Sequence, residues 1–183
     1  MKPLSYLLGL LLTLFSSLCG ASGQAGLSHV DVDVFDANSV RRGAAVYANY
    51  CMGCHSLGQM RYSRIQKDLN LSESTMRSEF MLGSVKIHDL IKSSMSAEDG
   101  ESMFGVAPPD LSLVARSRGT DWIYSYLKGF YLDPGRPLGV NNRVANNIAM
   151  PNVFWALQGE QQAVWGKEHG EAVITGLKLV KPG

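Results

Sequence analysis

The chain has 183 residues, 45% of them hydrophobic and 18% charged, enough for one domain with a real core and unlike a disordered segment. The formal net charge is +1, with no basic run and no basic helix face, so the balance argues against nucleic acid as a partner. The scattered charges read as a solvated surface.

Residues 1–25 have the layout of a secretory signal peptide. Lys2 precedes a leucine-rich apolar run over residues 4–18, and small residues follow from Gly20 to Ala25. The run is short for a membrane span, although an uncleaved anchor is the rival reading. Cys19 goes with the signal, because Leu18 before it is not the small residue a lipoprotein signal wants. The exported remainder, residues 26–183, keeps Cys51 and Cys54.

Val30, Val32 and Val34 alternate with Asp31 and Asp33, a strand-like period in an extended arm. A helix is expected to start near Asn38 or Ser39, either of which can cap it. Val40, Ala44, Tyr47 and Cys51 then share one helical face, which runs into CMGCH at residues 51–55. Ser72 caps a further segment. Residues 84–95 read as a helix with Val85, Ile87, Leu90 and Ile91 as its apolar positions. Residues 96–109 read as a loop. A short helix is expected within residues 110–118, and a clearer one after Thr120 as its cap, with Trp122, Ile123, Tyr126 and Leu127 facing inward. Residues 132–152 form a long Pro-, Gly- and Asn-rich loop, of the kind that usually carries function. Residues 171–180 look like two short strands.

CMGCH admits three chemistries. A redox disulfide usually opens a helix in a βαβ setting, whereas here a helix precedes the motif. A zinc site needs four ligands, and Cys51, Cys54 and His55 supply three, two of them adjacent. Covalent haem attachment accounts for all three residues: two thioethers on Cys51 and Cys54, and His55 on the iron. Export fits this reading, because bacterial haem attachment takes place outside the cytoplasm.

Methionine is the usual sixth ligand where the task is electron transfer. The chain has eight methionines. Met52 lies between the cysteines, and Met60, Met76, Met81 and Met95 read as core. Met103 and Met150 are the loop candidates. Met150 is favoured, because Pro151 restricts its backbone and the asparagines before it can tie the loop. His88 and His169 are rivals.

The segments RRGAAVYANYCMGCHSL, MRYSRI, FGVAPPDLSLVARSRGTDWIYSYLKGFY and AMPNVFW together resemble cytochrome c1, the haem subunit of the ubiquinol–cytochrome c oxidoreductase (cytochrome bc1) complex, in its bacterial form. The resemblance covers most of residues 29–183. It implies a mainly α, cytochrome c-like haem domain over residues 26–183, with long loops and a small β hairpin. It implies one covalent haem c on Cys51 and Cys54, with His55 and Met150 as iron ligands. By the same resemblance Pro108 and Pro109 pack on the haem, Arg118 binds a propionate and Trp122 lies near the ring.

The implied function is one-electron transfer from the Rieske iron–sulfur protein to a cytochrome c, beside cytochrome b, on the periplasmic face of the bacterial inner membrane. The chain would then be a subunit of an enzyme complex and no enzyme by itself. Members of the family continue into a further helix and a membrane anchor, so the resemblance also implies a C-terminally incomplete chain. The competing readings are a free periplasmic c-type cytochrome, a haem peroxidase with an open distal site, and a thiol–disulfide oxidoreductase.

Overall fold

The computed structural model describes residues 26–81 and 83–183, so the expected signal peptide over residues 1–25 lies outside the described residues. The arm forms no strand, contrary to its alternating pattern. Val32 and Val34 stay 49% and 66% exposed, while Val30 is half-buried. Its backbone donors go instead to side chains of a later helix: Ser28 N–H donates to Ser125 Oγ (2.8 Å) and Val30 N–H to Asp121 Oδ1 (2.9 Å).

Helix α1 (Ala37–Val46) is capped two residues before Asn38, the earlier of the two caps expected. The Asp36 side chain accepts from the N–H groups of Asn38 and Ser39. A π-helical turn, Tyr47–Cys51, continues it, with Met52 N–H donating to Tyr47 O at 2.9 Å. The wider turn breaks the single stripe expected from Val40 to Cys51. Ala44 and Tyr47 pack against the core while Val40 stays exposed.

Strand β1 (Leu57–Arg61), helix α2 (Tyr62–Asp68) and helix α3 (Glu73–Glu79) follow, and Ser72 caps α3 as expected, its Oγ accepting from Thr75 N–H. Residues 84–95 do not form the expected helix. They make turns around a short strand, β2 (Leu90–Ile91), antiparallel to β1. The Asp89 carboxylate closes a local turn by accepting from Lys86 N–H at 2.7 Å. The Ile87 and Asp89 carbonyls accept from Ser63 and Tyr62 N–H, so α2 takes bonds that a helix would have kept. The apolar positions are still used: Val85 and Ile87 pack against a core of Met52, Tyr62, Leu71, Met76, Phe80, Met81 and Ile91. Met60, expected in the core, lies on β1 and is 37% exposed.

The loop expected over residues 96–109 contains helix α4 (Ala97–Phe104), capped by Ser96 and ended by Gly105 at φ +77°. Gly100 of α4 is required by close approach, since a Cβ there would sit 2.5 Å from Pro108 Cδ. Helices α5 (Val114–Arg118) and α6 (Thr120–Lys128) come next, with Gly119 at the N-cap of α6 and Thr120 as its first residue. Trp122, Ile123, Tyr126 and Leu127 are all partly buried. Below α6, strands β3 (Phe130–Leu132) and β4 (Val140–Asn142) pair antiparallel, and Phe130, Tyr131, Asn141 and Asn142 are buried. The long loop is therefore folded back on itself by a hairpin.

Helix α7 (Trp155–Gln158) leads to strands β5 (Glu160–Glu168) and β6 (Glu171–Lys181), which pair along their whole length. Residues 171–180 are thus one strand, where two were expected. The register shifts opposite Thr175, beside Gly176, so the glycine marks a bulge rather than an end. His169 and Gly170 both have positive φ, the mark of a two-residue hairpin turn. Among the described residues there are seven short α-helices and three two-stranded sheets, a mixed architecture rather than a mainly α one. No helix among the described residues is long and apolar enough to cross a membrane.

Candidate functional site

The π-helical turn delivers Cys51, and CMGCH then closes on itself: Cys54 and His55 N–H both donate to Cys51 O, at 3.0 and 2.8 Å. Met52 points the other way, into the core, where Tyr62 O–H reaches its sulfur at 3.8 Å. One residue of the motif thus anchors it while Cys54 and His55 face a cleft. Both cysteines are unbonded and half-buried. Burial first, and Cys54 beside it second, push the Cys51 thiol up. Among the described residues no three His, Cys, Asp or Glu side chains come together to hold an ion.

His55 is held at two points. Its Nδ1 lies 2.8 Å from Pro109 O, and its own carbonyl accepts from Tyr47 O–H at 2.7 Å. A carbonyl can only accept, so Nδ1 carries the proton and the Nε2 lone pair is left for a metal. Desolvation, chiefly, keeps the Tyr47 phenol protonated well past the ordinary tyrosine range.

The cleft beside His55 is open to solvent, with about 710 Å³ of empty space when its mouth is included. Its walls are almost wholly apolar. It is lined by Tyr50, Cys54 and His55, by Phe104, Val106, Pro108 and Pro109, and by Tyr126, residues 148–151 and Val153. Met150 therefore lines the same cleft as His55. Two buried asparagines build the loop that carries it: Asn141 Oδ1 accepts from Asn147 N–H (3.0 Å), and Asn142 Oδ1 accepts from Val144 N–H (2.9 Å). Asn142 Nδ2 donates to Tyr126 O at 2.7 Å, tying the loop to α6. Tyr126 O–H in turn lies 3.7 Å from Met150 Sδ. Burial pushes the Tyr126 phenol up as well.

The rival ligands lie elsewhere. His88 is exposed on the turn before β2, and His169 sits at the tip of the β5–β6 hairpin. Met103 is on α4, 63% exposed, rather than in a loop. Arg118 and Trp122 do not line the cleft. Arg118 sits over the Trp122 ring, 5.1 Å from its centroid, and Trp122 stacks on Tyr126, which does line it. The Trp122 Nε1 atom is buried and has no hydrogen-bond partner. Tyr50, Phe104, Val106, Tyr126 and Ile148 were not singled out as site residues in the sequence; the signal they carry is an apolar or aromatic residue inside, or beside, a Gly-, Pro- or Asn-rich segment.

An apolar cleft lined by an imidazole, a thioether and the Cys54 thiol, with Cys51 behind them in the same tight turn, suits a flat, largely apolar macrocycle with an iron at its centre. The orphaned Trp122 N–H is the kind of donor that a propionate would satisfy.

The Cytochrome C1 family profile matches residues 28–102. The chain is 46% identical over 171 residues to a cytochrome c1 of Allochromatium vinosum, covering 92% of this chain and 70% of that protein. It is 38% identical over 162 residues to a Nitrosomonas europaea protein named ammonia monooxygenase gamma subunit, covering 88% of this chain and 68% of that one. It is 30% identical over 129 residues to a Candida albicans mitochondrial cytochrome b-c1 complex catalytic subunit, covering 59% and 43%. The chain belongs to the cytochrome c1 family. Proteins of this family carry one covalent c-type haem and serve respiratory electron transport.

Proposed function

We propose that this chain is the haem-bearing electron carrier of a bacterial ubiquinol–cytochrome c oxidoreductase. It accepts one electron at a time from the Rieske iron–sulfur protein and passes it to a cytochrome c, with cytochrome b as its neighbour in the complex. Residues 1–25 export it and residues 26–183 form the haem domain, on the periplasmic face of the inner membrane. The observation that carries this reading is that His55 and Met150, far apart in sequence, line one apolar cleft.

Cys51 and Cys54 would hold the haem covalently, and His55 and Met150 would ligate its iron, which would supply reversible one-electron chemistry. The residues do the rest. Pro109 O orients His55 and strengthens its free nitrogen as a donor. Pro108, Phe104, Val106 and Ile148 keep water from the ring and lower the local dielectric. Arg118, which sits over the Trp122 ring outside the cleft lining, would bind a propionate, a guanidinium fork suiting a carboxylate, and the unpartnered Trp122 N–H is a second donor beside it. With His55 and Met150 taken up in holding the iron, no side chain would have to act as acid, base or nucleophile, so the chain would be no enzyme on its own.

The test has two parts. Protein produced with cytochrome c maturation factors should give a c-type reduced-minus-oxidised spectrum that survives acid–acetone extraction. The native protein, solubilised from membranes in mild detergent, should co-purify with cytochrome b and a Rieske protein. Extractable haem would overturn the attachment at Cys51 and Cys54. A haem protein recovered alone would point instead to a free periplasmic c-type cytochrome.

A further inference from the structure

We propose that the Tyr126 phenol sets the reduction potential through Met150: its O–H donates to the Met150 sulfur and withdraws electron density that the sulfur would otherwise give to the oxidised iron. This rests on Met150 being an iron ligand, and makes Tyr126 a positioning and tuning residue. The hydroxyl is 3.7 Å from Sδ, and both side chains line the same cleft.

The aim of the hydroxyl is fixed from three directions. The Tyr126 ring stacks on Trp122 (centroids 4.9 Å apart, planes 9° apart) and meets Phe130 edge-on (5.5 Å, 70°). Its backbone carbonyl is held by Asn142, whose own position on β4 starts the loop leading to Met150. A hydroxyl turned into an apolar cleft needs an acceptor. The sulfur is a weak one, but it is the acceptor the structure supplies to this hydroxyl. A thioether has two lone pairs, so it can bind iron with one and accept from Tyr126 with the other.

The sign of the effect separates this role from plain packing. If the phenol merely props the loop, Tyr126→Phe loosens Met150 and makes it easier to displace. If the phenol withdraws density, the same change makes the sulfur a better donor to ferric iron. The oxidised state is then favoured and Met150 becomes harder to displace.

The experiment uses the haem-loaded protein and its Tyr126→Phe variant. Each is titrated spectroelectrochemically, and then with imidazole while the methionine–iron charge-transfer band is followed. The expected result is a roughly three- to tenfold fall in the reduction equilibrium constant, the scale of one weak hydrogen bond, together with weaker imidazole binding. An unchanged constant, or tighter imidazole binding, overturns the proposal. A ring-fluorinated tyrosine placed at position 126 keeps the shape and strengthens the donor. It should move the constant the opposite way, and no movement also overturns the proposal. Absence of the charge-transfer band in the unsubstituted protein would remove Met150 as the ligand, a failure of the prior reading that this measurement shows separately.

Discussion

Asn142→Ala tests how the fold holds the Met150 loop that lines the cleft. Asn142 is fully buried, at 0% exposure. Its amide donates to Tyr126 O at 2.7 Å and its side-chain oxygen accepts from Val144 N–H at 2.9 Å. Truncation leaves the half-buried Val144 N–H without its partner, at about 1–3 kcal/mol. The Tyr126 carbonyl loses one of two donors and keeps the Gly129 N–H, so with the lost amide bond the expected total is roughly 1.5–4 kcal/mol. The loss falls on the junction between α6 and the Met150 loop, so local opening of the loop should precede global unfolding. The assay is denaturant unfolding of the haem-loaded protein, followed in parallel by the methionine–iron band and by far-ultraviolet circular dichroism. In the variant the band should disappear at a lower denaturant concentration than the helical signal. Coincident transitions, with a stability loss below about 1 kcal/mol, would refute the account of Asn142 as the tie between α6 and the loop.

Asp36→Ala removes the α1 cap and should cost about 1 kcal/mol, seen as faster amide exchange in the first turn of α1 with the haem spectrum unchanged. Met76→Ala empties a fully buried site in the core that anchors Met52, and should cost about 2–5 kcal/mol in denaturant unfolding. Gly129→Ala would set a methyl 2.6 Å from Ser125 O and 2.9 Å from Asn142 Oδ1, so it should destabilise and lower the thermal midpoint, unlike alanine at Gly43, where nothing lies within 4 Å. Asp110 is partly desolvated, which works to raise its pKa. Hydrogen bonds from Ser112 and Gly58 N–H outweigh that and hold the carboxyl below its ordinary value. A lowered folded pKa means stability that is present above the unfolded carboxylate range and lost as pH falls through the folded value. The stability gap between the parent and Asp110→Asn should therefore be widest near neutrality and close in acid, as read by unfolding at a series of pH values.

The parts of the site that chemistry constrains locally could be read from the sequence. Covalent attachment and iron ligation demand a fixed spacing, so Cys51, Cys54 and His55 stand out in five residues. A proline directly after a methionine in an Asn-rich loop singles out Met150, which the fold brings to the His55 cleft. Apolar positions were also legible: Val85, Ile87 and Ile91 all reach the core. The conformation that carries them was not, because Asp89 and the N-terminus of α2 compete for the hydrogen bonds a helix would use. Strand β5 was hidden in a polar stretch whose partner lies across a two-residue turn. The link from Tyr126 to Met150 is non-local: it exists only once β3 and β4 pair and Asn142 docks beneath α6.

The five-residue turn at Tyr47–Cys51 sets the phase between the N-terminal helix and the haem-binding motif. Each helical residue advances the chain by about 100°, so losing one residue there would swing Cys51, Cys54 and His55 away from the cleft as a group. The same loss at the exposed His169–Gly170 tip would only shorten a ribbon. Length is therefore a frozen quantity on the approach to the motif and a free one at the hairpin. Insertions and deletions tolerated during the divergence of such chains belong at the hairpin end.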